Sequence, residues 1–149
     1  MGYIQELREL IGTRPIIMVG VAVIVKNEKD EVLLQKRTDS GDWGTIGGAL
    51  ELGESLEEAA ARELYEEAGL TASSFQFVTV LSGEAFYYKY PHGDEVYNVV
   101  AVYEAEGIAG TPRVNDDEGL ELKYFSLKDP IANLNPMGQM ILTRAGYLK

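Results

Sequence analysis

The 149-residue chain has no cysteine, so it offers no disulfide framework, no thiol nucleophile and no thiolate metal site. Its single histidine, His92, excludes a zinc site built from several imidazoles and leaves any Ser-His triad only that one residue. Positive charge is scarce: 13 Lys and Arg stand against 24 Asp and Glu, for a net charge of −11. That balance argues against nucleic acid as a partner, because nothing in it would hold a bare phosphate backbone. An acidic protein can still handle a polyphosphate when a metal cation sits between the two. The apolar run from Pro15 to Val25 is too short to cross a bilayer, and Lys26-Asn27-Glu28 after it is no small-residue cleavage site. Met1-Gly2 opens like a myristoylation signal, but Glu6 stands where Ser or Thr is needed. These absences predict a soluble protein of a reducing compartment, the cytoplasm, with no membrane partner.

Apolar residues make up 46% and charged ones 25%, a globular composition, and the length suits one domain over residues 1–149. Tyr3, Ile4, Leu7, Leu10 and Ile11 fall at helical spacing, so residues 1–12 predict a short amphipathic helix closed by Gly12. Ile16 to Val25 is β-branched and apolar and ends in Asn27-Glu28-Lys29-Asp30, which predicts a buried strand and its turn. Glu31 to Arg37 returns as the second strand of a hairpin. Thr38 to Gly44 is a loop leading to the only tryptophan, Trp43. Further strands are expected over Phe75 to Leu81, Phe86 to Tyr90, Glu95 to Ala105 and Leu122 to Leu127. A closing helix over Pro136 to Ala145 carries proline at its start. The pattern is mixed α/β, without repeat or linker.

Ser55 to Ala68 is the clearest helix: Ser55 is an N-cap, Glu58 its capping-box partner, and Gly69 suits the left-handed position past the end. On a wheel of 100° per residue, Glu63 and Glu67 lie within roughly 20° of Leu56, with Ala59 and Glu66 close by. Two glutamates therefore share the apolar stripe. A solvated acidic face is the alternative, and there like charges at i, i+4 cost only about 0.2–0.5 kcal/mol. Half-buried, a pair about 5–6 Å apart would repel by roughly 3 kcal/mol at an effective dielectric near 20. A hard divalent cation removes that repulsion, and carboxylate oxygens without Cys or His clusters suit Mg²⁺ or Mn²⁺. Upstream, Gly47-Gly48 leads from a strand or loop and lets backbone carbonyls approach a ligand closely.

Gly48, Glu54, Arg62-Glu63-Leu64, Glu66-Glu67, Gly69 and Leu70 together match Gly-x5-Glu-x7-Arg-Glu-U-x-Glu-Glu-x-Gly-U, with U a bulky aliphatic. This is the Nudix box, complete over residues 48–70, and the chain resembles the Nudix (MutT-like) hydrolases. Flanking features look like the family as well: the strand ending Gln35-Lys36-Arg37, Trp43 ahead of the glycines, and Glu118 to Phe125 before a final helix. Ile46 departs from it, since many members place proline before Gly-Gly.

The resemblance implies a Nudix fold, an α/β/α sandwich around a mixed β-sheet. It implies hydrolysis of a nucleoside diphosphate linked to another moiety, with water attacking a phosphorus of the pyrophosphate. It makes Glu63, Glu66 and Glu67 metal ligands, joined by the Gly48 carbonyl, with Mg²⁺ as the cofactor and Mn²⁺ as an alternative. Arg62 would orient a glutamate, and Glu54 would support the loop–helix geometry or bind metal through water. Glu66 and Glu67 are catalytic candidates with them. The general base comes either from the box or from a later loop, where Glu118 is the first candidate and Glu121 the second. Arg37 is a candidate phosphate contact or a solvent-facing strand end. Tyr87 and Tyr88, spaced 17 and 18 residues past Leu70, match a family spacing that accompanies dinucleoside polyphosphates, and Tyr87 is the candidate substrate contact. Aromatics at alternating strand positions also serve as packing. The family further implies a small-molecule partner and a homodimer. The alternatives are a nucleotide-binding module without turnover and an RNA 5′-end pyrophosphohydrolase.

Overall fold

A computed structural model of the chain describes residues 2–115 and 119–149. The elements run α1 (Tyr3–Ile11), β1 (Ile16–Ile24), β2 (Val32–Arg37), β3 (Trp43–Ala49), α2 (Leu56–Ala68), β4 (Ser74–Leu81), a 3-10 turn (Glu84–Phe86), β5 (Tyr87–Lys89), β6 (Glu95–Glu106), β7 (Gly119–Phe125) and α3 (Pro136–Arg144). One mixed sheet takes the strands in the order β4-β6-β1-β3-β2-β7, with β5 added to the start of β6. β1 and β6 run parallel, from Ile16 opposite Val96 to Ile24 opposite Glu104. The other pairings are antiparallel.

Burial follows from that order. β1 is central, and its second half, Gly20 to Ile24, is buried throughout, as expected of a strand covered on both faces. Alternate side chains go to opposite sides. On one side Val21, Val23, Leu33 and Ile46 pack on Ala59, Ala60, Leu64 and Ala68 of α2. On the other, Ala22, Ile24, Leu34 and Val102 pack with Phe86 and with Ile141 and Leu142 of α3. The architecture is the expected α/β/α sandwich around a mixed sheet. α3 starts on Asn135, whose side chain accepts from the Gly138 N–H at 2.6 Å, with Pro136 in the first turn. Among the described residues no helix is long and apolar enough to cross a membrane.

The largest difference from the sequence reading is β3, which begins at Trp43 inside the expected loop and takes the glycines into a strand. It lies between β1 and β2, whose expected hairpin is reduced to a bridge between Lys26 and Val32. Gly20, Gly47 and Gly48 are there because β1, β3 and α2 come unusually close: a Cβ on Gly20 would stand 2.7 Å from the Gly48 carbonyl oxygen, and one on Gly47 would strike that of Val21. β7 begins at Gly119, earlier than Leu122, and Phe86 closes the 3-10 turn ahead of β5.

Candidate active site

α2 holds its place through both ends and one face. The Ser55 hydroxyl accepts from the Glu58 N–H at 3.1 Å, while the Glu58 carboxylate accepts from the Ser55 N–H at 2.9 Å. At the other end Gly69 takes a φ of 68°, in the left-handed region. The face carrying Ala59, Ala60 and Leu64 into the core also carries Glu63 and Glu67, which are 8% and 1% exposed. The wheel expectation is thus met in the most literal way: two carboxylates lie at the edge of an apolar core.

Each is handled differently. Glu67 reaches under β3, where Oε1 accepts from the Gly47 N–H and Oε2 from Nε2 of Gln35, both at 2.7 Å. Burial pushes its carboxyl up to about 8, against the bond from Gln35 and with help from the Glu63 charge. Glu63 lies against Gly48, where a Cβ would come 2.5 Å from its Oε1. The Glu63 Oε1 accepts from Nη1 of Arg62 at 2.6 Å. Arg62 is the hub of the cluster. Its Nε and Nη2 donate to the two oxygens of Glu54 at 2.7 and 2.9 Å, and Nη2 also to the Ala49 carbonyl at 3.0 Å. Its Nη1 reaches Glu66, the outermost box glutamate, at 3.3 Å, with that side chain 51% exposed. This forked pairing holds the Glu54 carboxyl below the usual carboxylate range and pins the charge on Arg62.

The donor set has only oxygens, from carboxylates and a backbone carbonyl, which suits a hard cation. The space over the Gly48 carbonyl is kept clear because Gly20 has no side chain. Gln35 is fully buried and its Oε1 has no hydrogen-bond partner, leaving an acceptor beside Glu67 for a cation's water. Among the described residues no three His, Asp or Glu side chains converge as a closed cage, since Arg62 draws Glu63 and Glu66 to itself. The residues therefore fit a cation such as Mg²⁺, which keeps several waters and completes its shell with phosphate.

A cavity of about 560 Å³ opens from Gly48 and Glu63, passes Arg37 and Asp39, and reaches Tyr88, Tyr90 and Asn98. Arg37 is paired with Asp39 at 3.2 Å and its charge works to lower the carboxyl of Glu67. The structure thus brings Gly48, Glu63 and Arg37 onto one cavity, with Glu67 beneath and Arg62, Glu54 and Glu66 at its side. Tyr87 is elsewhere: its hydroxyl donates to Glu95, its ring packs on Tyr97, and the cavity takes Tyr88 and Tyr90 in its place. Glu118 lies outside the described residues. Glu121 is exposed on β7, in register with Lys36.

Sequence reasoning passed over Gln35. The available signal was a polar residue two positions after Leu33, at a place where β2 keeps its side chains buried. It also passed over Gly20, which reads as one small residue in an apolar run.

A family profile described as the NUDIX domain matches residues 17–142. The chain is 34% identical over 109 residues to a nucleoside triphosphate pyrophosphatase/Nudix hydrolase fusion protein of Bifidobacterium longum, covering 70% of this chain and 21% of that one. It is 27% identical over 136 residues to the NAD-capped RNA hydrolase NudC of Actinobacillus succinogenes, covering 87% and 48%. The chain therefore spans from about a fifth to about half the length of these relatives. Among solved structures, a MutT NUDIX hydrolase from Burkholderia pseudomallei superposes with a TM-score of 0.71 at 28% identity, over 87% of this chain and 97% of that one.

Proposed function

The chain belongs to the Nudix family, and from that membership and the cluster around Arg62 we propose that it is a pyrophosphohydrolase. Its substrate is a nucleoside diphosphate linked to another moiety: a nucleotide, a dinucleoside polyphosphate or a nucleotide sugar. The observation that carries this reading is the buried, twice-bonded Glu67 beside a glycine cradle that excludes side chains. A structural role alone gives no reason to hold a carboxylate there.

Glu63, Glu66, Glu67 and the Gly48 carbonyl would hold Mg²⁺, with Mn²⁺ as an alternative. The cation, when bound, supplies Lewis-acid stabilisation of charge on the phosphoryl oxygens and lowers the pKa of water. Arg62 keeps Glu63 and Glu66 in position, and Gln35 with the Gly47 N–H fixes both oxygens of Glu67. Arg37 reaches a phosphate oxygen from the cavity wall. Glu118 is the proposed base that takes a proton from the attacking water, with Glu121 second. Residues 1–149 act as one domain, in the cytoplasm, as a homodimer and on small molecules.

The test is nucleotide or phosphate release from a panel of nucleoside diphosphate derivatives with Mg²⁺ or Mn²⁺. Wild type should turn over at least one of them, and Glu67→Gln should be slower by about a hundredfold or more. Wild type no faster than Glu67→Gln on the whole panel would sink the reading. Competition by RNA in the same assay separates a small-molecule enzyme from one acting on RNA 5′ ends.

A further inference from the structure

α1 lies before the family-matched residues, which begin at 17, yet it borders the same cavity as Glu63 and Arg37. Ile4, Gln5 and Arg8 are its residues on the cavity. At its first residue the Tyr3 N–H donates to Glu51 at 2.9 Å, in the loop that leads to α2. Toward its far end Arg8 donates from Nη1 to the carbonyls of Gly12 and Arg14, at 2.9 and 2.6 Å, and from Nη2 to that of Glu95 at 2.6 Å. Its Nε stands 3.5 Å from Asp94. The helix buries no residue of its own, so it is fastened at two points and turns Ile4 and Gln5 toward the cavity.

The same cavity is also lined by aromatic side chains. Tyr88 and Tyr90 pack edge to face with ring centroids 4.8 Å apart, and Tyr90 stacks on His92 at 5.5 Å with the planes 2° apart. Charge is cancelled at this end, because Arg8 is committed to Asp94 and to three carbonyls. Arg37, whose charge acts on both Tyr90 and Glu67, stands between the two ends together with its partner Asp39, and Glu63 belongs to the other one. A diphosphate and its cation fit there, whereas Ile4, the two tyrosines and the Gln5 amide fit an uncharged ring.

We propose that α1 is a specificity element of the substrate site, its Ile4 and Gln5 closing with Tyr88 and Tyr90 around the uncharged, ring-bearing part of the nucleotide. This rests on the reading of the site as one for nucleoside diphosphates. The double substitution Ile4→Ser, Gln5→Ala removes the wall while keeping the Tyr3 and Arg8 fastenings.

The experiment is equilibrium binding by calorimetry, in Mg²⁺, of ADP, GDP, CDP and UDP and, separately, of inorganic pyrophosphate. Wild type should bind at least one nucleoside diphosphate more tightly than pyrophosphate. The double variant should weaken that nucleoside diphosphate by about tenfold, the scale of one stacked or well-packed ring, and leave the Kd for pyrophosphate and the melting temperature unchanged. Equal nucleotide binding by both proteins overturns the proposal. So does parallel loss of nucleotide and pyrophosphate, or wild type that binds no nucleoside diphosphate. The readout is binding, so absence of turnover in the panel above refutes hydrolysis without deciding the role of α1.

Discussion

Two of the three helices that border the cavity, α1 and α2, are held there by opposite means. α2 sinks six residues into the protein, Glu63 and Glu67 among them, and its position is set by the core it completes. α1 sinks none and is set by hydrogen bonds to backbone carbonyls and one carboxylate at its two ends. The first arrangement gives precision, since a carboxylate on a packed helix face moves only if the core moves. The second gives a boundary that can change its side chains without disturbing the fold. Chemistry is best placed on the first and selectivity on the second, which is the division proposed here.

The difference can be broken most forcefully through pH. The folded value of Glu67, about 8, lies above its ordinary 4.5, so between those values the native state keeps a proton that the unfolded chain has released. Stability from this group is full below about pH 4.5 and drains away as the pH rises toward 8, with a slope of up to about 1.4 kcal/mol per unit in the metal-free protein. Saturating Mg²⁺, which needs the ionised carboxylate, should flatten that slope. Denaturant melts across the range in EDTA and in Mg²⁺ read both. A pair of identical substitutions comes next. Leu64→Ala in α2, at a fully buried position, should cost about 2–5 kcal/mol. Leu10→Ala in α1, where the side chain is 84% exposed, should stay within about 0.5 kcal/mol. Equal losses in the two melts would end the contrast. Gln35→Leu sharpens it further: Glu67 loses one of its two donors, and Mn²⁺ affinity, followed by electron paramagnetic resonance, should fall roughly 10- to 100-fold. The melting curve should shift far less than for Leu64→Ala.

How much of this the sequence discloses depends on the range of the interactions. α2 was legible to its caps because Ser55, Glu58 and Gly69 act within one turn of where they stand. The acidic stripe was legible because Glu63 and Glu67 share a face with Leu56 whatever surrounds them. β3 was not: Trp43-Gly44-Thr45-Ile46-Gly47-Gly48-Ala49 lacks a strand pattern, since its glycines answer to Val21, Gly20 and Glu63 rather than to its own backbone. Gln35 was missed for the same reason, its meaning lying in Glu67 thirty-two residues away. α1 reads correctly as a helix, but its seat depends on Arg8 meeting the Glu95 carbonyl eighty-seven residues on, and no local pattern encodes that.

The parallel pairing of β1 with β6 also governs how the molecule comes into being. It joins Ile16 to Val96 and Ile24 to Glu104, so β2, β3, the box helix, β4 and the aromatic turn are enclosed in the loop it closes. Non-local pairings of this kind are reached late and slowly, because chain entropy is lost before their contacts are gained. During that search α2 can form alone, held by its own caps, while Gly20 and Gly48 are still apart. A chain in that state carries at most a fraying helix and no site. Hydrogen-exchange pulse labelling during refolding should protect the amides of α2 before those of β1, with nucleotide binding arriving only with the latter.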